Sequence, residues 1–186
     1  EKSKAFSGKI RVQEKLSGLG SIFSAEKTLR KINLILYLPH PKEHLQKTYK
    51  LLLHSKIMKT ILVDAVNTFV IKGEGIFQEM YKMLEGYQNK KIILTNADDE
   101  QLKNFGLDNM PYEVFTLKHN PEKTNPKFFE IMLKHFNLTA KDVIYFEHNS
   151  DAVKSAQSIG IIAFNYDKDK KDLVSLKKFL DKNLKE

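Results

Sequence analysis

Three apolar runs in this chain end in a polar residue that could do chemistry. Asp64 follows Ile61-Leu62-Val63, Thr95 follows Ile92-Ile93-Leu94, and Glu147 follows Ile144-Tyr145-Phe146. Lys123 falls between the last two, just ahead of an amphipathic segment at 126–136. If the runs are neighbouring parallel strands, their carboxyl ends share one rim, which is where open sheets bind ligands. A carboxylate, a hydroxyl, an ammonium and a second carboxylate gathered there suit phosphoryl transfer. Asp64 would attack phosphorus, Thr95 would hydrogen-bond a phosphoryl oxygen, and Lys123 would neutralise the carboxylate–phosphate pair. Glu147 or Asp151 would anchor a metal that offsets the repulsion between two anions. Each residue alone has a plainer reading. An Asp after a strand is commonly a turn former or a cap. Glu147-His148-Asn149-Ser150-Asp151 reads equally well as a capped helix start, with His148 solvent-exposed. The ordered set at successive run ends is the signal.

The elements that must position these residues follow from periodicity. Short apolar runs at Thr60–Asp64, Lys91–Thr95, Glu113–Thr116, Val143–Glu147 and Ile161–Asn165 predict strands covered on both faces. Between them, Ile76–Tyr87, Asp98–Phe105, Pro126–Phe136, Ser150–Ile159 and Lys170–Leu184 read as helices. Strand–helix alternation implies right-handed crossovers and an α/β, Rossmann-like fold. The expected architecture is a five-stranded parallel sheet with helices on both faces.

The region before Met58 has a different texture. Residues 1–57 carry twelve Lys and Arg against four Glu and no Asp, whereas the rest is balanced, so the whole net charge of +8 sits in the first third. Segments at 25–38 and 42–55, separated by Pro39-His40-Pro41, predict a small basic helical hairpin preceding the α/β domain of 58–186. Such an extension could contact a polyanion such as nucleic acid, or a protein partner, or simply be a Lys-rich solvated surface. Met58 reads as a possible native start, with the preceding segment appended.

Composition excludes several classes. The chain has 186 residues, 41% of them hydrophobic, enough for one full-sized core and an appendage. It has no Cys, which rules out disulfides, a thiol nucleophile and a Cys-ligated zinc site. No window approaches 18 uninterrupted apolar residues, so no membrane span is expected. The start lacks the apolar core of a signal peptide, and the expectation is a cytoplasmic protein.

Four segments carry a resemblance to a known family. Ile61-Leu-Val-Asp64-Ala-Val-Asn-Thr68 resembles the first motif of the haloacid-dehalogenase-like (HAD) hydrolase superfamily, an apolar strand followed by Asp-x-Asp-Gly-Thr. Ile92-Ile-Leu-Thr95-Asn96 resembles its second motif, and Lys123-Thr-Asn-Pro126-Lys-Phe-Phe its third. Val143-Ile-Tyr-Phe-Glu147-His-Asn-Ser-Asp151, running on to Gly160, is similar to its acidic fourth motif. The resemblance spans 58–186 and implies a HAD-type fold without an inserted cap. It implies Asp64, Thr95, Asn96 and Lys123 as catalytic residues, with magnesium held by Asp64, the Val66 backbone, Glu147 and Asp151.

The departures are specific. Val66 stands where the family has its second Asp, the proton-transfer residue, and Asn67 replaces the usual Gly. Counted back from Gly160, the acidic positions of the fourth motif fall on His148 and Ala152, with Glu147 and Asp151 each displaced by one. The resemblance implies a magnesium-dependent phosphatase acting on a phosphorylated substrate through an aspartyl-phosphate on Asp64. Turnover would be slow unless His148 or the substrate supplies the base. The alternative is a binding or regulatory module on the same scaffold, its basic extension contacting a partner. A 2-haloacid dehalogenase also lacks the second Asp, and Asn149 has a counterpart there. That branch, however, needs a helical cap between the first two motifs, and Phe69 to Lys90 is too short for one.

Overall fold

The computed structural model describes residues 58–184. The helical hairpin expected in 1–57 lies outside the described residues. Within them, β1 (Thr60–Asp64) leads into a two-residue hairpin, β2 (Val70–Ile71) and β3 (Gly75–Ile76), then α1 (Gln78–Glu85). There follow β4 (Lys91–Thr95), α2 (Asp99–Asn104), β5 (Glu113–Thr116) and α3 (Pro126–Phe136). The chain closes with β6 (Val143–Glu147), α4 (Ser150–Ser158), β7 (Ile162–Asn165) and α5 (Leu173–Leu184). The main sheet is parallel throughout, in the order β5-β4-β1-β6-β7.

The central strands are buried on both faces, and the period-2 alternation of side chains sorts their residues into two cores. Ile61 and Val63 of β1, Ile93 of β4 and Ile144 and Phe146 of β6 face one side, packed with Met80 and Leu84 of α1 and Leu176 and Leu180 of α5. Leu62, Ile92, Leu94, Val143 and Tyr145 face the other, against Phe128, Phe129, Met132 and Leu133 of α3 and Ala156 of α4. Each such side chain contributes about 1.5–3 kcal/mol on leaving water, so continuous apolar runs are what a doubly covered sheet requires.

Four of the five expected strands have the expected bounds, and the fifth starts at Ile162. The helix starts differ for local reasons. The first begins at Gln78, because Gly75-Ile76 pairs with Val70-Ile71 in the β2–β3 hairpin. Both Gly73 and Gly75 sit at φ +84°, a conformation few other residues adopt, and this lets the hairpin turn so tightly. Asp98 lies outside α2 as its N-cap, in a reciprocal capping box with Gln101. The last helix begins at Leu173, where the Asp172 carboxylate accepts from the Ser175 backbone N–H. In α3 the Asn125 side chain accepts from the Lys127 N–H and Pro126 takes the first helical position, which sets how the preceding loop delivers Lys123.

Candidate functional site

The register of the sheet brings the strand ends together. Val63 of β1 is level with Ile93 of β4 and Phe146 of β6, so Asp64, Thr95 and Glu147 end three adjacent strands at one rim. Lys123 reaches the same place from the loop before α3, donating to Asp64 Oδ1 and, at 2.6 Å, to Glu147 Oε2. The exposures are low: Asp64 1%, Glu147 0% and Lys123 7%. A cleft of about 210 Å³ opens above them, with Thr95, Asn96, Gln101, Phe105 and His119 in its walls.

The backbone after β1 is shaped to present Asp64. The Ala65 carbonyl accepts from the N–H groups of Thr68, Phe69 and Val70, which folds the chain back on itself. Asn67 turns through φ +66°, left-handed backbone that Gly or Asn tolerates, which explains why Asn can stand in the glycine's place. The turn sets the Thr68 hydroxyl 2.5 Å from Asp64 Oδ2, as donor. Asn96 Oδ1 accepts the Lys123 backbone N–H at 2.9 Å and so anchors the lysine loop. Thr95 Oγ1 accepts the Ala97 N–H at 3.2 Å.

Three contributors were not assigned from the sequence. His148, read there as an exposed helix-start residue or a spare base, places Nδ1 2.7 Å from Asp64 Oδ2 and 3.0 Å from Glu147 Oε1. Tyr145, read as an apolar strand residue, donates its hydroxyl to Glu147 Oε2 at 2.5 Å. Its signal was its position two residues before Glu147, which puts both side chains on one face of β6. Thr68 was visible only as part of the first motif. In contrast, Asp151 does not reach the site. It is exposed on the first turn of α4, paired with Lys154 at 3.0 Å, and does not line the cleft. Asn149 caps α4 by accepting from the N–H groups of Asp151 and Ala152, and this turn aims Asp151 outward. Val66 lines the cleft with no titratable group.

The site is a closed square of alternating charge: each carboxylate gives one oxygen to Lys123 and the other to His148. Burial alone would lower the Lys123 pKa, but Asp64 and Glu147 hold it above the usual lysine value. Burial would raise Glu147, but Lys123 and the hydrogen bonds from His148 and Tyr145 hold it below the usual carboxylate range. Burial, then Glu147 and Asp64, push the Tyr145 hydroxyl well up, so it stays a donor. The hydrogen bonds to Asp64 and then Glu147 outweigh burial and raise His148 from 6.5 to about 9.

The raised His148 pKa makes the stability of the fold depend on pH. A raised folded pKa stabilises the native state fully below the unfolded value of about 6.5, and the contribution is lost as pH rises through about 9. Thermal melts across that window are expected to show wild type losing several degrees more than His148→Gln. Equal losses would mean that the ring is not a charged member of the square.

Asp64, Glu147 and His148 each present a ligand atom, all within 4.8 Å of one another, a group of donors close enough for one metal ion. Magnesium, however, takes six oxygens at about 2.0–2.1 Å in near-octahedral order. Here both Glu147 oxygens already accept from Tyr145, Lys123, His148 and the Asn149 N–H, and Asp64 from Lys123, Thr68 and His148. The third donor is an imidazole nitrogen. As arranged, this donor set does not fit magnesium.

Comparison with known proteins bears on the fold. No family model matches the sequence, and no curated protein matches it. Among solved structures, a HAD-family enzyme from Bacteroides thetaiotaomicron, an aspartate-to-alanine mutant in complex with magnesium and inorganic phosphate, superposes with a TM-score of 0.51 at 10% identity, over 60% of this chain and 95% of that one. A HAD-superfamily hydrolase from Geobacter sulfurreducens matches with a TM-score of 0.40 at 19% identity, over 50% of this chain and 47% of that one. An uncharacterized protein from Corynebacterium glutamicum matches with a TM-score of 0.46 at 14% identity, over 69% of this chain and 98% of that one. The fold of residues 58–184 is HAD-like. No helix among the described residues is long and apolar enough to cross a membrane.

Proposed function

We propose that the strand-end cluster is the site of a hydrolase that takes a phosphoryl group from an ester onto Asp64. The observation that carries the reading is the buried Asp64–Lys123 ion pair on the floor of the cleft. Among the described residues Asp64 Oδ1 accepts from Lys123 alone, so it retains a lone pair for phosphorus, whereas Oδ2 is engaged by Thr68 and His148. The new bond joins Oδ1 to phosphorus and the bond to the ester oxygen breaks. Water then attacks phosphorus and returns the Asp64 carboxylate and inorganic phosphate. The Lys123 ammonium offsets the charge as the phosphoryl oxygens approach, and Thr95 and Asn96 line the cleft where those oxygens lie.

Val66 cannot protonate the leaving oxygen, so the reading favours leaving groups that depart unprotonated, such as phenolates. Magnesium could enter this square only by displacing the His148 ring.

The test is to react the full chain with an aryl phosphate, quench in acid and map the phosphoryl adduct by mass spectrometry. An adduct on the peptide holding Asp64, with release of the phenol, is expected. Phenol release with an adduct elsewhere, or neither product, would sink the mechanism.

The absence of an acid at Val66 also favours a second reading, a phosphate-binding module that does not turn over. Inorganic phosphate would then raise the melting temperature while no adduct forms. In that case the basic residues 1–57 would carry the contact with a polyanion or protein partner.

A further inference from the structure

We propose that the His148 ring, its Nδ1–H seated between Asp64 and Glu147, fills the place where a divalent metal would otherwise be held, so that the cleft takes its phosphoryl anion without a metal. The inference rests on the phosphoryl-transfer reading for its ligand, but not for its geometry.

Nδ1 lies 2.7 Å from Asp64 Oδ2, 3.0 Å from Glu147 Oε1 and 3.3 Å from Thr68 Oγ1. Those are oxygens from two strand ends and one turn, the kind of convergence that otherwise holds a hard cation. A carboxylate oxygen can only accept, so the ring nitrogen between two of them must carry the proton. The Lys123 ammonium takes the opposite oxygen of each carboxylate, so an ion between the two acids would have to displace the His148 ring.

The seat is held from behind. The Asn165 amide, at the end of β7, donates to the carbonyls of both Glu147 and His148, at 3.1 and 3.0 Å. The Asn149 N–H donates to Glu147 Oε1 at 2.9 Å. These bonds fix the peptide that carries the ring, so its position is built into the fold rather than chosen by a free side chain. The opposite ring nitrogen has no partner among the described residues, and His148 lines the cleft. An incoming phosphoryl oxygen meets the Lys123 ammonium on the floor of the same cleft. Each carboxylate is met on one side by the Lys123 ammonium and on the other by the His148 ring. A site with an aspartate in place of His148 would carry an excess of negative charge and require the metal.

The experiment is thermal melting of the full chain in EDTA and in millimolar magnesium, for wild type, His148→Asp and His148→Gln. Wild type should shift by less than about 1 °C. His148→Asp should gain about 5 °C or more from magnesium, as expected for a bound ion well above its dissociation constant. His148→Gln removes the ring without adding a carboxylate, and it too should be rescued by magnesium; it serves if the aspartate variant does not fold. A wild-type shift as large as either variant's would overturn the proposal, as would variants indifferent to the metal. Aryl phosphate hydrolysis by wild type in EDTA separates the two readings. Activity equal to that in magnesium supports both. Activity that needs magnesium overturns the inference and leaves the hydrolase standing. A metal-indifferent melt without hydrolysis supports the seat and sinks the hydrolase.

Discussion

Lys123→Met is expected to lower the stability of the native state by about 3–5 kcal/mol, the usual cost of removing one partner from a buried ionic network. At the size of this domain that is a drop of roughly 10–20 °C in melting temperature. Met fills similar volume, so the loss is electrostatic rather than a cavity. Without the ammonium, Asp64 and Glu147 face each other nearly free of solvent, with His148 as their one remaining cationic partner among the described residues. The pH dependence gives the sign. In wild type the Glu147 pKa is held below the usual range, so its contribution is present at neutral pH and is lost on acidification. In the variant the second-largest influence on Glu147 is gone and burial pushes its pKa up instead. Protonation then relieves the strain, and the gap between variant and wild type should narrow as pH falls. Adding Glu147→Gln should recover part of the loss at neutral pH. A decrease under about 1 kcal/mol, or a gap that widens in acid, would show that the four groups do not share their charge as described.

Asp64→Asn is expected to reduce aryl phosphate hydrolysis by about 1,000-fold or more, since an amide cannot form the phosphoryl intermediate. Circular dichroism should show the fold retained, because Asn keeps the volume and one acceptor for Lys123. The same variant carries an internal control. The hydrogen bond to Asp64 is the largest cause of the raised His148 pKa, so the value should fall from about 9 toward 6.5 when followed by NMR. Hydrolysis unaltered by the substitution would remove Asp64 from the chemistry. An unmoved imidazole titration would show that the ring is not seated on it.

Much of this was legible in the residues because it is local. Continuous apolar runs are what strands covered on both faces look like, and four of the five bounds coincide. The polar residue ending each run is placed by the strand itself, so Asp64, Thr95 and Glu147 reach one rim once the strands are parallel and in register. The β2–β3 hairpin was not legible, since two-residue strands leave no periodicity to read. Asp151 shows the same limit differently. Its four-residue separation from Glu147 spans a strand end, a cap and a first helical turn, so helical spacing does not apply, and the Asn149 cap turns it to solvent.

The chain by itself determined the elements, the order in which they alternate and which side chains terminate them, because hydrophobic period and turn chemistry act over a few residues. Only the tertiary structure decided what those side chains do to one another. Lys123 and His148 become one charge square with Asp64 and Glu147, and Tyr145 becomes a donor to the site, because residues up to 84 positions apart meet around two carboxylates that are themselves almost wholly buried. At such distances along the chain no spacing rule operates. The pairing of charges is set by sheet register and by the cost of leaving any one of them buried without a partner.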